Sequence, residues 1–209
     1  MRGSHLDPPR RLSCVPSDYA SRRELWIRSG LWLSFNKGPF VTLGVESLGY
    51  AERQLLEWEK RIAAIANVRA YRRAELESLE LESLIMQCAA HSILWVFGLY
   101  EIVRVVKDTN PSKFEALKEL FSDVEILRMP LAKHEVKRTA KHRKARQHYP
   151  TGLWFRESGS IGWKVCNPRT EAFQRFTRTG IANEFLSITA TEPIFQVAID
   201  TTTVEPQKR

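Results

Sequence analysis

From Tyr50 to Phe97 the chain reads YAERQLLEWEKRIAAIANVRAYRRAELESLELESLIMQCAAHSILWVF, with neither glycine nor proline in it. Alanine, leucine, glutamate and arginine dominate, and all are good helix formers. Leu55, Leu56, Trp58, Ile62 and Ile65 recur at helical spacing. This stretch predicts two long helices, over about 48–70 and 72–108, with a break near Val68–Tyr71.

Outward from this stretch, Asp108-Thr109-Asn110-Pro111 is a stop signal, and Ser112 is placed to cap a third helix. Phe114, Leu117, Leu120, Phe121, Val124, Leu127 and Leu131 give that helix one apolar face. Pro130 is expected to break or kink it near its end. On the N-terminal side, Leu31, Leu33 and Phe35 alternate and predict a short strand within 22–45. Beyond Tyr149-Pro150, Leu153–Phe155 and Ile161–Val165 flank Glu157-Ser158-Gly159-Ser160 and predict a β-hairpin. Phe173 and Phe176 extend it to a third strand, and a short helix follows over Ile181–Ile188. Trp154 and Trp163 are expected to pack on each other or on the helices. The fold class is therefore mainly α: an antiparallel helical bundle with a small C-terminal β-hairpin or sheet appendage. The expected organisation is a loose arm over 1–20, a bundle over 21–148, a β-rich appendage with a short helix over 149–190, and a tail over 191–209.

Length and composition suit a folded domain: 209 residues, 43% hydrophobic and 27% charged. The formal net charge is +8, which favours polyanionic partners such as RNA, DNA or an anionic membrane surface. Cys14, Cys88 and Cys166 are too few and too scattered for a disulfide framework or a zinc site, and Cys88 reads as a small core residue. No apolar segment follows the N-terminus, so a cytoplasmic location is expected. The apolar run Ile93–Tyr100 is hemmed by Gln87, His91, Ser92, Glu101 and Arg104. It falls short of the roughly 20 apolar residues of a membrane span, and a buried helix is expected instead. In that mostly buried helix His91 reads as a satisfied residue, and Glu101 with Arg104 as an intrahelical ion pair. There is no glycine-rich phosphate loop, no paired metal carboxylates and no nucleophile–His–acid pattern, so neither metal nor cofactor is expected.

The chemistry concentrates around residues 128–148. Lys133, Lys137, Arg138, Lys141, Arg143, Lys144 and Arg146 form a basic run interrupted by one acid, Glu135. With no aromatic residue before Tyr149, it reads as a holder of nucleic-acid backbone that ignores sequence. Five residues separate Arg128 from His134. In an unbroken helix the two would point about 120° apart, but a bend at Pro130 could re-aim the histidine. A guanidinium can hold phosphate oxygens while an imidazole moves the proton of a ribose hydroxyl, without a metal. Arg143 and His148, followed by Tyr149, are a second candidate pair at similar spacing. The plain alternative makes Arg128 a surface residue paired with Glu125 or another acid, and His134 a solvent-facing side chain.

Two long helices, the apolar segment Ile93–Tyr100 and the motif carried by Arg128, Leu131, Ala132 and His134 resemble the HEPN superfamily of prokaryotic nucleotide-binding and RNase domains. The resemblance covers roughly 50–135. It implies an antiparallel helical bundle, commonly dimeric, and a metal-independent RNase of the toxin or antiphage kind, with Arg128 and His134 as its catalytic pair. It also implies a cognate antitoxin or other regulatory partner. The chain departs from the family pattern at Met129, where active members usually carry a polar residue, and at Pro130. Two other readings stay open beside it: a non-catalytic nucleic-acid-binding protein, and a helical scaffold whose long helices mediate oligomerisation.

Overall fold

A computed structural model describes residues 15–34, 39–69, 76–133, 152–167, 170 and 172–190. Within them lie five helices and three strands: α1 (Tyr19–Ser34), α2 (Pro39–Arg69), α3 (Leu76–Thr109), α4 (Pro111–Lys133), β1 (Leu153–Phe155), β2 (Ser160–Cys166), β3 (Phe173–Thr177) and α5 (Arg178–Thr189). The mainly helical class with a small β appendage is as the sequence predicts.

The first four helices form an antiparallel series, because their contact partners run in opposite directions along the chain. Between α1 and α2, Arg22 meets Glu52, Trp26 meets Gly49 and Gly30 meets Thr42. Between α2 and α3, Arg61 meets Glu80, Trp58 meets His91, Leu48 meets Trp95 and Gly44 meets Ile102. Between α3 and α4, Lys107 lies over Phe114, Tyr100 stacks on Phe121 and Glu101 reaches Arg128. β2 and α5 then pack among α1, α3 and α4. One core results, with Trp26, Leu99, Leu117, Leu127, Trp163 and Phe185 buried in it.

Local signals explain the element ends. Asp18 accepts a hydrogen bond from the Ser21 amide at 2.8 Å and caps α1. Pro39 opens α2, where a missing amide hydrogen costs nothing. Asn110, not Ser112, caps α4: its side chain faces the Lys113 amide at 3.4 Å, and Pro111 takes the first helical position. The hairpin turns through Gly159, whose φ of 59° lies in the left-handed region that glycine tolerates. The sheet order is β1-β2-β3, antiparallel throughout, with Trp154 opposite Ile161 and Trp163 opposite Phe176. Trp163 thus packs into the helical core, and its direct cross-strand partner is Phe176.

Several expectations need correction. The strand expected within 22–45 is helix: Trp26, Ser29, Gly30 and Leu33 face inward at helical spacing, and the alternation of Leu31 and Leu33 is incidental. α2 begins at Pro39, well before residue 48. α4 is not broken at Pro130 but runs on to Lys133, because the proline falls in the last turns, where few backbone hydrogen bonds remain to be lost. His91 is exposed, and its Nδ1 is satisfied by the Gln87 carbonyl at 2.9 Å, as a satisfied histidine would be. α3 over Leu79–Thr109 is long and apolar enough to cross a membrane, and 44% of its most apolar window is buried against the rest of the protein.

The α1–α2 seam depends on a missing side chain. A Cβ on Gly49 would lie 2.7 Å from Cγ of the buried Trp26 indole. Gly49→Ala should therefore destabilise the protein by about 1–3 kcal/mol, as overpacking does, read as a lower urea midpoint. An unchanged midpoint would contradict this packing.

Candidate functional site

Two places gather polar chemistry: a buried ionic cluster and the outer face where α3 meets the end of α4. The cluster starts from an irregularity in α2. Val45, Leu48, Glu52, Leu55, Glu59 and Ile62 are its inward residues, spaced alternately three and four apart, and two of the six are carboxylates. Glu52 faces two buried guanidinia, Arg22 and Arg178, and Glu59 faces Arg178. Glu52 Oε2 accepts from Arg22 Nε at 3.1 Å and from the Trp26 indole at 2.6 Å. Its other oxygen accepts from Arg22 Nη2 and, at 3.4 Å, from Arg178 Nη1. Glu59 Oε1 accepts from Ser160 Oγ at 2.8 Å, the Ile161 amide at 3.1 Å and Arg178 Nε at 3.3 Å. Its Oε2 receives Arg178 Nη2. Arg22 Nη1 also donates to the Pro16 carbonyl at 3.1 Å and to Asn183 Oδ1 at 2.8 Å.

The group is neutral as a set and closed to water: Arg178 is 0% and Glu59 3% exposed. Burial alone would lower the Arg178 pKa, but the carboxylates, Glu59 foremost, more than offset it and hold it above its ordinary value. Burial, followed by the Glu59 charge, pushes the nearby Cys88 thiol up to about 12, so it stays protonated and unreactive. With no route for substrate, the cluster holds elements together: α1, α2, the start of β2 and the start of α5 meet on it. Sequence reasoning missed it, although two glutamates on the inward stripe of a long helix were the available signal.

The predicted site residues fare differently. Arg128 is on α4, its side chain 34% exposed. Its guanidinium lies 4.4 Å from the centre of the Tyr100 ring, and Nη2 is 3.8 Å from Glu101 Oε1. The acid beside it is therefore Glu101 on α3, not Glu125. Glu101 is held at 2.7 Å by Arg104, the ion pair expected from the sequence, and Arg104 in turn reaches Asp108 at 3.6 Å. Lys133 ends α4. His134, Lys137, Arg138, Lys141, Arg143, Lys144, Arg146, His148 and Tyr149 lie outside the described residues, so both candidate Arg–His pairs have at most one member placed.

At 3.8 Å the Arg128–Glu101 contact is an ion pair without a hydrogen bond, and such half-exposed pairs are worth at most about 1 kcal/mol. Arg128 is thus steered by the tyrosine face rather than consumed by its acid. A groove of about 1230 Å³ between α4, β3 and α5 has the wrong lining for a polyanion. Glu115, Glu119, Asp123 and Glu184 outnumber Lys118 and Arg175 along it. Among the described residues no group of His, Cys, Asp and Glu is arranged to hold a metal ion.

Removing one partner of the cluster strands a buried charge, which typically costs about 3–5 kcal/mol. Arg178→Met and Glu59→Gln should each destabilise strongly, and the double variant should cost clearly less than their sum. Chemical denaturation of the four proteins measures this; additive losses would show that the two side chains do not act as a pair.

Compared with known proteins, the chain finds no significant match among family models, curated proteins or solved structures.

Proposed function

We propose that the chain binds RNA through the basic segment that follows α4, and that Arg128 with His134 forms a metal-independent cleavage pair of the HEPN-like kind. One observation carries this reading. The described residues hold as many Lys and Arg as Asp and Glu, so the whole net charge of +8 lies outside them. Six Lys or Arg against one Glu fall within 134–148 alone. That concentration of positive charge on one segment suits backbone binding, in which each neutralised phosphate releases a counterion. Arg128, partly exposed and separated from His134 by five residues, supports placing the chemistry where this segment begins. Its guanidinium would anchor the phosphate and offset developing charge. The imidazole would take the 2′-hydroxyl proton. A role in a toxin or antiphage system, with a cognate antitoxin and a homodimeric active form, belongs to the same proposal. So does a cytoplasmic location.

Binding is tested with labelled single-stranded RNA over a range of salt. Each phosphate contact contributes about 0.7 to the slope of log affinity against log salt. Replacing Lys137, Arg138, Lys141 and Arg143 by alanine should flatten that slope by roughly 2–3. A salt-insensitive affinity, or a slope that the substitutions leave alone, would reject the segment as the binding site.

Cleavage is tested separately. In EDTA the protein should cut single-stranded RNA, and His134→Ala should abolish cutting while leaving binding unchanged. RNA that binds with the expected salt dependence but stays intact with the wild type would leave a non-catalytic binder and remove the enzyme.

A further inference from the structure

Between α2 and α3 a hollow of about 230 Å³ opens on the surface, and the other side of its Trp95 floor is shared with the buried cluster, whose Arg178 guanidinium lies 5.9 Å from the centre of the Trp95 ring. Its floor is Leu48, Leu55 and the Trp95 indole, all buried; its walls are Trp58, Leu94 and His91; Ala51 and Gln54 stand at the rim. Interiors normally close such spaces, because atoms lining a void lose their dispersion partners. An apolar cavity of about 150 Å³ is already enough to take up benzene. Leu94, 65% exposed, overhangs the opening and leaves apolar surface facing water.

Besides the Gln54 amide at the rim, the polar groups around this hollow are the ring nitrogens of Trp95 and His91. The Trp95 indole N–H is engaged by the Leu48 carbonyl at 3.0 Å and offers nothing to a ligand. His91 Nδ1 lies 2.9 Å from the Gln87 carbonyl. A carbonyl only accepts, so Nδ1 carries the hydrogen, and in the neutral ring Nε2 is left as an acceptor. The His91 ring is held edge-to-face against Trp58, with centroids 4.9 Å apart. The hollow therefore offers aromatic and aliphatic walls and one oriented acceptor, the composition of a small-ligand site.

We propose that this hollow binds a small planar aromatic molecule bearing one hydrogen-bond donor, the class represented by indole. The ring lies between Trp58, Leu94 and the Trp95 face, and its N–H donates to His91 Nε2. The full-length protein is titrated with indole and with 1-methylindole while backbone amide shifts are followed by NMR. Indole should saturate the shifts of Ala51, Gln54, His91 and Leu94 with a Kd on the order of 1 mM or below. 1-Methylindole, lacking the donor, should bind about fivefold more weakly, as the loss of one neutral hydrogen bond implies. His91→Leu should make the two probes equal. Ala51→Trp, at an exposed position, should fill the hollow and remove binding of both. No saturation by about 5 mM indole, equal affinities in the wild type, or unaltered binding to Ala51→Trp would overturn the proposal. So would a self-associated protein that Ala51→Trp converts to monomer, since a second copy would then occupy the hollow.

Discussion

Two carboxylates on the inward stripe of α2 are the constraint on which the rest of the architecture turns. Glu52 and Glu59 cannot be buried alone, since an isolated ionised carboxylate in the interior costs far more than a domain's whole stability. Each needs a cation and further donors. The chain supplies them from distant places: Arg22 and Trp26 from α1, Ser160 and the Ile161 amide from β2, Arg178 and Thr179 from the start of α5. Hydrophobic packing alone would tolerate several ways of laying α1 and the sheet against the α2–α4 layer. An ionic cluster with directional donors does not, because any slipped arrangement strands a charge.

That division explains what could be read in advance. α2 from about residue 48, α3 and α4 were legible because propensity and apolar periodicity point the same way, with neither glycine nor proline between Tyr50 and Phe97. The hairpin was legible from Gly159 between two aromatic runs, and the short final helix from its apolar spacing. α1 was not: Leu31 and Leu33 imitate a strand, and only the packing of Gly30 against Thr42 and of Trp26 against Gly49 shows a helix. The cluster was hidden for a different reason. In a helix rich in Glu and Arg, Glu52 and Glu59 look like any solvated pair, and nothing local marks Arg22 and Arg178 as their partners. Such long-range complementarity is decided by tertiary structure.

The candidate site was legible to a lesser degree. Arg128 could be named, but not its setting on the Tyr100 ring, because the contact crosses from α4 to α3. Pro130 does not end the helix, which continues to Lys133. The route by which Arg128 and His134 would share a phosphate therefore rests on the residues after α4, not on a break within it. Charge tells a simpler story. Residues 134–148 hold six Lys or Arg against one Glu, so most of the chain's excess positive charge falls on that one segment.

Hydrogen exchange under native conditions tests the central claim most directly. The Ile161 amide, which donates to Glu59, and the Trp26 indole, which donates to Glu52, lie on opposite sides of the cluster. If the cluster locks α1, β2 and α5 onto α2, both hydrogens exchange only through global unfolding, with the same free energy and the same denaturant dependence. Exchange of the Trp26 hydrogen through a smaller opening, while Ile161 stays protected, would mean that α1 detaches independently and the cluster does not hold the fold as one unit.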